Sequence, residues 1–559
     1  MDLAFRSRVE SGDEALRRHH AERYIFSMQD GLEQICSSKP CSDCEWFLPA
    51  KWGKENMSYA EKRALLITGT KEKAALFFEA VDGAVSALAS TLLSHADIRD
   101  LLSYEYVFFF GNPEDYSSEC RKTLDALEYE LLQYRREVHE INRITNATAA
   151  YINRVLAGEF NSFDEAERLT ARLGQIPYYK LILTDCDRTL SDGADSSFLA
   201  MEYSGIGTDA LSEIYAGDCF TNYQAFLADE FFRSNRIYTE ESLAYAQEHI
   251  VLNAPLIDDL NHQQNTGILP VTGGFGRAWE SILNGTGLNI EAVISSPVMS
   301  KYVKYAICSE LTDRGIFVTA IGDSVMDMFM LKRANRAYVV TNKGYRAYLL
   351  PFLEENRHIH QFSYSTFLYP GVPAEEKIGA VYSLGCESRA YDAEIASCYS
   401  DAPVYGKVLR EKHRRIGTAL AEQIRAEYPG ESYAVVAVMR SGLPAAMAIA
   451  DTLDCPIAFY FPGSEATFLE HIRHIPQIEQ RKIILCDGVV DSGKTLCRVA
   501  ELLSEADTLT AVNVFSAHGK VSTKGSIYLG RISTHRFLPN SDRSAKGLDT
   551  SEKLFEREG

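Results

Sequence analysis

Apolar side chains recur at intervals of three and four in KEKAALFFEAVDGAVSALASTLL and in ECRKTLDALEYELLQYRREVHEINRI, the spacing that lines one face of an α-helix. Neither stretch alternates with strand-like runs, so residues 1–175 are predicted to form a helical region. The pattern changes at YYKLILTD. Short runs rich in aliphatic and β-branched residues (KLILTD, EAVISS, IFVTAIGD, AYVVT) now alternate with helical segments, the order of a parallel sheet wrapped by helices. A helix-like stretch between SDG and ILPVTGG interrupts the alternation and reads as an inserted cap, about 194–268. A passage containing Pro and Gly, from Pro370 to Glu387, marks a boundary, after which YAVVAVM, PIAFYF, RKIILC and LTAVNVF restart the pattern. The predicted order is a helical region (1–175), a capped α/β unit (176–375) and a second α/β unit (385–559).

Composition narrows the possible partners. A chain of 559 residues is long enough for about three to four cores, and 46% hydrophobic with 24% charged residues is ordinary for folded domains. The net charge of −20 disfavours a nucleic-acid partner, because phosphate-backbone affinity comes mainly from Lys and Arg. No uncharged apolar run nears the ~20 residues that span a bilayer, and the first residues lack the apolar core of a signal peptide. A cytoplasmic address with no membrane contact is the expectation, and the twelve scattered Cys fit reduced thiols.

LILTDCDRTLSDG places Asp185 and Asp187 just past a predicted strand end, where open α/β sheets hold their ligands. Alone, two such carboxylates also fit a solvated loop. Three further features follow in order: EAVISS, ending a strand at Ser295 and Ser296; then Lys301 and Lys304; then AIGDSVMD, with Asp323 and Asp327. The ordered set resembles the haloacid-dehalogenase superfamily of phosphohydrolases over about residues 178–370. That resemblance implies that Asp185 attacks phosphorus to form an aspartyl-phosphate, while Asp187 protonates the leaving oxygen and later activates water. It further implies Mg²⁺ held by Asp185, the backbone carbonyl of Asp187 and Asp323, with Asp327 in support. A serine and a lysine would neutralise charge on the phosphoryl group. Ser295 is preferred to Ser296 because it follows the apolar strand directly, and Lys301 to Lys304 by its distance from Asp323. The insert between the first two motifs matches the helical C1-type cap of the phosphoserine-phosphatase-like branch, which favours small substrates. Asp at 187 favours a phosphatase over a dehalogenase.

Gly488 to Thr495 satisfies G-x-x-x-x-G-K-[ST], the pattern of a nucleotide triphosphate loop. Such a loop cradles phosphates with N–H groups and one Lys, so the carboxylates of Asp487 and Asp491 would repel its cargo. Both signs in one loop suit phosphoribosyl pyrophosphate (PRPP), whose ribose hydroxyls need acceptors while its 5′-phosphate needs donors. KIILCDGVVDSGKTL resembles the PRPP loop of type I phosphoribosyltransferases, which implies PRPP contacts from Asp487, Asp491, Ser492, Gly493, Lys494 and Thr495. AVVAVMRSGLPAAMAIA reads as strand, tight turn and helix, and puts Arg440, Ser441 and Gly442 at the family's pyrophosphate loop. The acidic pair usual in the loop appears here as Cys486-Asp487, as in uracil-type members. Asp491 matches the position where 6-oxopurine-type members carry the aspartate that takes the base proton. KGLDTSEKLF resembles the segment of uracil-type enzymes that pairs the base, through Asp549. These clues pull toward different bases.

The expectation is an α/β multidomain enzyme acting on small molecules: PRPP, a nitrogenous base and a phosphomonoester. Acting in series, the two units would make a nucleoside monophosphate and then strip its phosphate, for specialised nucleoside synthesis or for a stress or defence system that alters a nucleotide pool. The alternative is a PRPP sensor gating the phosphatase or a partner. A protein partner, or self-association, would use the helical region. Cys36, Cys41 and Cys44 read as a thiol cluster more readily than as a zinc site, since a fourth ligand such as His19 or His20 would have to come near.

Overall fold

The computed structural model describes residues 64–81, 88–111, 118–174, 176–216, 219–340, 349–362, 377–399, 402–534 and 550–555. The chain divides into two compact units, Met1–Phe160 and Asn161–Gly559. Asp549, Cys36, Cys41, Cys44, His19 and His20 lie outside the described residues. Among the described residues no helix is long and apolar enough to cross a membrane.

The first unit corrects the expectation of a helical region. It holds strands β1 (Ala64–Thr68), β2 (Leu88–Leu92), β3 (Tyr106–Phe110) and β4 (Val138–Ile141) in one parallel sheet of order β2-β1-β3-β4. The helices Lys71–Ala80 and Ser118–Leu132 alternate with them. Leu65, Ile67, Val107 and Phe109 are buried in one core with Leu124 and Leu131 of the second helix. The sequence ALLIT is apolar up to its last residue and buried along its whole length, as suits a strand covered on both faces.

The second unit carries two six-stranded sheets, and every strand pair in them is parallel. One comprises β5 (Lys180–Thr184), β6 (Gly267–Thr272), β7 (Ile294–Ser295), β8 (Phe317–Gly322), β9 (Arg336–Val340) and β10 (Ile359–Phe362), in the order β10-β9-β8-β5-β6-β7. Five helices from Ser196 to Asn261 intervene between β5 and β6. The other comprises β11 (Val381–Ser383), β12 (Tyr433–Val438), β13 (Ile457–Tyr460), β14 (Lys482–Val490), β15 (Thr508–Ser516) and β16 (Ile527–Ser533), in the order β11-β16-β15-β14-β12-β13.

These two sheets are joined by packing and by buried hydrogen bonds. Phe317 of β8 is buried in the core formed by β12, β14 and β15 and their helices. Asn335, fully buried, accepts from Val318 N (2.8 Å) and donates to the carbonyls of Ala517 (3.0 Å) and Gly519 (2.9 Å). Lys180 donates to Val381 O at 2.7 Å. Buried polar groups persist only where they are paired, so these contacts hold one sheet's loops against the other.

Candidate functional site

In the first six-stranded sheet the chain leaves β5 toward β6 on one side and returns as β8 on the other. Ligands of open α/β sheets lie in the crevice that such a reversal opens at the strands' carboxyl ends. Asp185 directly follows β5 and Asp323 directly follows β8, with Asp185 N donating to Ile321 O at 2.9 Å. Asp327 ends the single turn Val325–Asp327, where its Oδ2 accepts from Asp323 N (3.2 Å) and Ser324 N (3.1 Å). Asp185, Asp323 and Asp327 each bring a carboxylate oxygen within 4.8 Å of the others. Such an all-oxygen, acidic donor set fits a hard divalent cation.

The lysine that meets these carboxylates is Lys304, at 2.5 Å from Asp185 Oδ1 and 2.7 Å from Asp327 Oδ1. This corrects the preference for Lys301, whose ammonium lies over the rings of Tyr302 (5.1 Å) and Phe329 (5.2 Å). Both begin the helix Lys301–Asp313. Three residues shift a side chain by about 4.5 Å along a helix axis, which a count along the chain does not weigh.

Ser295 is likewise displaced. Neighbouring strands are ~4.8 Å apart, and β7 stands two strands from β5. Thr272 ends β6, the adjacent strand, in register with Ser295. Its Oγ1 donates to Asp187 Oδ2 at 3.2 Å, whereas Ser295 lines a separate cavity of about 580 Å³ with Leu169, Arg172 and Glu280. Ser296 donates to Glu165 Oε1 at 2.5 Å. The overlooked signal is the run GILPVT ending in a hydroxyl before Gly273 and Gly274, a run that marked only the far boundary of the predicted cap. Gly274 leaves room for the acid: a Cβ there would stand 2.0 Å from Asp187 Oδ2.

Asp187 is held apart from the acidic trio by Ser196 N (2.6 Å) and Trp279 Nε1 (3.1 Å), both donating to Oδ1. Burial, reinforced by the Asp195 and Asp185 carboxylates, pushes its pKa up to about 7. Asp185 rises to about 6 by burial and by Asp327, against the opposing pull of Lys304. Asp323 is raised well above the usual carboxylate range, first by burial and then by Asp185 and Asp327. Burial alone would depress Lys304, but the two carboxylates outweigh it and raise its pKa. The crevice opens into a cavity of about 240 Å³, lined by Asp185, Asp187, Asp323 and Thr272 together with aromatic side chains of the helical insert.

The second six-stranded sheet has its own reversal at β12, flanked by β13 and β14. The turn after β12 and the loop after β14 therefore face one crevice. Ser441 Oγ donates to Asp487 Oδ1, which also accepts from Gly488 N at 2.7 Å. A Cβ on Gly442 would meet Cys486 O at 2.5 Å, so this close approach of the two loops needs glycine. Burial raises the Asp487 carboxyl to about 6, against the hydrogen bond from Ser441. Cys486 is buried with its Sγ 3.8 Å from Gly442 O. Gly493 adopts φ 80°, and a Cβ there would stand 1.8 Å from Lys520 O. It leads into the helix Lys494–Leu502, whose first N–H groups are donors suited to an anion. Arg440, Ser492 and Lys494 are exposed, Asp491 and Thr495 half-buried.

Residues 409–524 match the phosphoribosyl transferase domain family. Over 90 residues, 16% of the chain, the sequence is 31% identical to proteins of Streptococcus agalactiae serotype V and serotype III strains named ribose-phosphate pyrophosphokinase 2. The chain spans 28% of the length of these curated relatives. Among solved structures, a substrate-bound phosphoserine phosphatase complex aligns with 30% of this chain and 87% of its own at 19% identity, with a TM-score of 0.24. A purine phosphoribosyltransferase from Pyrococcus horikoshii aligns with 23% of this chain and 91% of its own at 21% identity, with a TM-score of 0.17.

Proposed function

We propose that this chain, whose residues 409–524 carry a phosphoribosyl transferase domain, is a bifunctional enzyme that joins a nitrogenous base to PRPP and then removes the 5′-phosphate. The observation that carries the reading is that two carboxylate-bearing crevices, each at its sheet's reversal point, share one compact unit.

At the transferase crevice a base nitrogen attacks C1′ of PRPP, the bond from C1′ to the pyrophosphate oxygen breaks, and Asp491 takes the base proton. Asp487, oriented by Ser441 and Gly488, accepts from ribose hydroxyls, and the N–H groups opening at Gly493 and Lys494 bind the 5′-phosphate. Arg440, Ser441 and Gly442 receive the pyrophosphate.

At the phosphatase crevice the Asp185 carboxylate attacks phosphorus as the bond to the leaving oxygen breaks. Asp187, whose raised pKa keeps it protonated up to near neutrality, gives that oxygen its proton. It then takes a proton from the water that splits the aspartyl-phosphate, which frees Asp185 and inorganic phosphate. Lys304 and Thr272 orient the two acids. Mg²⁺ held by Asp185, Asp323, Asp327 and the Asp187 carbonyl would neutralise phosphoryl charge.

The test supplies wild-type protein with Mg²⁺, PRPP and a panel of bases, and follows pyrophosphate, phosphate and nucleoside. All three should accumulate with one base, and Asp185→Asn should stall at the nucleoside monophosphate. Pyrophosphate without nucleoside would separate the two activities. No pyrophosphate with any base would favour the second reading, a PRPP sensor. Cys486, which puts a buried thiol where an acidic partner of Asp487 is usual, supports that reading.

A further inference from the structure

Part of the lining of the phosphatase cavity is built from flat rings. Phe198, Tyr215, Phe220 and Phe232 of the helical insert line it together with Arg188 and Met326. Tyr215 and Phe220 stack on one another, with ring centroids 5.2 Å apart and planes at 28°.

Two observations indicate that this wall is pre-shaped. Gln224, fully buried, donates to the carbonyls of Ile214 (3.1 Å) and Ala216 (3.2 Å) on either side of Tyr215. Its Oε1 accepts from Thr221 N at 3.1 Å, immediately after Phe220, so one carboxamide spans both ring-bearing segments. Phe220 and Arg188 also both hold left-handed backbones, φ 50° and φ 65°, a conformation that side-chain-bearing residues adopt only where their surroundings impose it. Lys301 N donates to Phe220 O at 3.1 Å and holds that turn. Arg188 sits with its guanidinium 5.4 Å from the Phe198 ring centroid and 3.5 Å from Asp195 Oδ2.

We propose that the Tyr215–Phe220 wall selects phosphomonoesters whose leaving group carries a planar ring, a nucleoside 5′-monophosphate being the class that fits. The proposal rests on the phosphatase reading, which already takes a nucleoside monophosphate as substrate, and adds the residues that select it. A face of aromatic rings attracts another π-system by stacking. It offers little to a zwitterionic or purely polyhydroxylated group, whose burial costs free energy unless each polar atom is paired. A cavity of about 240 Å³ lies below the ~300–1,000 Å³ of ordinary ligand clefts, a size that favours a small phosphomonoester. The polar groups that also line it, Asp195, Ser197 and Ser212, suit the hydroxyls of a pentose linker.

The experiment compares phosphate release from pyrimidine and purine nucleoside 5′-monophosphates with release from ribose 5-phosphate, which has the same sugar and phosphate and no ring. Phosphate release reports this site alone, since transfer from PRPP liberates pyrophosphate. The better nucleotide should exceed ribose 5-phosphate in kcat/KM by about tenfold or more, the scale of one base stacked on an aromatic ring. In Tyr215→Leu and in Phe220→Leu that ratio should fall toward parity. The ratio belongs to the folded protein only, so partial unfolding of either variant does not move it. Equal kcat/KM for nucleotides and ribose 5-phosphate in the wild type, or an unchanged ratio in both variants, would overturn the ring selection and leave the phosphatase standing. Failure to hydrolyse any phosphomonoester, p-nitrophenyl phosphate included, would instead remove the phosphatase reading and this proposal with it.

Discussion

Lys304 reaches two carboxylates from a position with no exposure to solvent. Removing one partner of a buried charge pair leaves the other uncompensated and costs about 3–5 kcal/mol. Lys304→Met is therefore expected to lower the melting temperature and to cut phosphate release by at least ~100-fold, the scale of losing a preorganised charge at a reacting group. Lys301→Met, which removes the ammonium packed over Tyr302 and Phe329, serves as the comparison and is expected to cut phosphate release less than Lys304→Met does. Thermal melts and phosphate release on both variants check this, and a reversed ranking would restore Lys301. Sequence pattern put a lysine of this helix forward and preferred Lys301, whereas the carboxylate contacts shown belong to Lys304. Spacing along the chain registers neither the rise of a helix nor the lateral order of strands, and lateral order is what separates Thr272 from Ser295.

At the scale of elements, the loop from Asp487 to Gly493 shows how one glycine shapes a crevice. Gly493 is left-handed and its Cα faces Lys520 O. An alanine there carries a ~1–2 kcal/mol backbone penalty before any steric conflict. Gly493→Ala is expected to weaken PRPP binding by about tenfold or more in calorimetry, while hydrolysis of a supplied phosphomonoester changes less than about twofold, because distant sites act nearly independently. A parallel loss of both would mean that the loop's fold governs the whole unit. The first unit shows the opposite failure of pattern reading. Strand β2, LASTL, lies inside the run that looked helical from Lys71 to Leu93, and β4, VHEI, inside the one from Glu119 to Ile144. Segments of four or five residues are too short for periodicity to separate a strand from a helix, and only their partner strands distinguish them.

For the whole molecule, the contact between the two six-stranded sheets is the feature that no motif announces. Asn335 pairs β8 with the segment Ala517–Gly519, and Lys520 N in turn donates to Ser492 O of the Asp487–Gly493 loop at 3.1 Å. Asn335→Leu would leave one N–H and two carbonyls without that partner, at ~1–3 kcal/mol for an unsatisfied buried group. Phosphate release and PRPP binding are expected to fail at the same, lowered temperature in this variant; loss of one with the other intact would show that the two sheets unfold separately. The sequence alone was sufficient for the α/β class of residues 176–559, which depends on the order of strand-like and helix-like runs, and it put forward Asp185, Asp187, Asp323, Asp327 and the Asp487–Thr495 loop as expectations because each stands at or near the end of a strand-like run. Tertiary structure decided that Lys304 and Thr272 stand at the acids, that the first unit is a parallel sheet, that rings of the insert close the cavity, and that Asn335 ties one sheet to the other. Each of those depends on which segments become neighbours in space, and that is set by strand order and helix rotation across distances of many tens of residues, where local spacing carries no information.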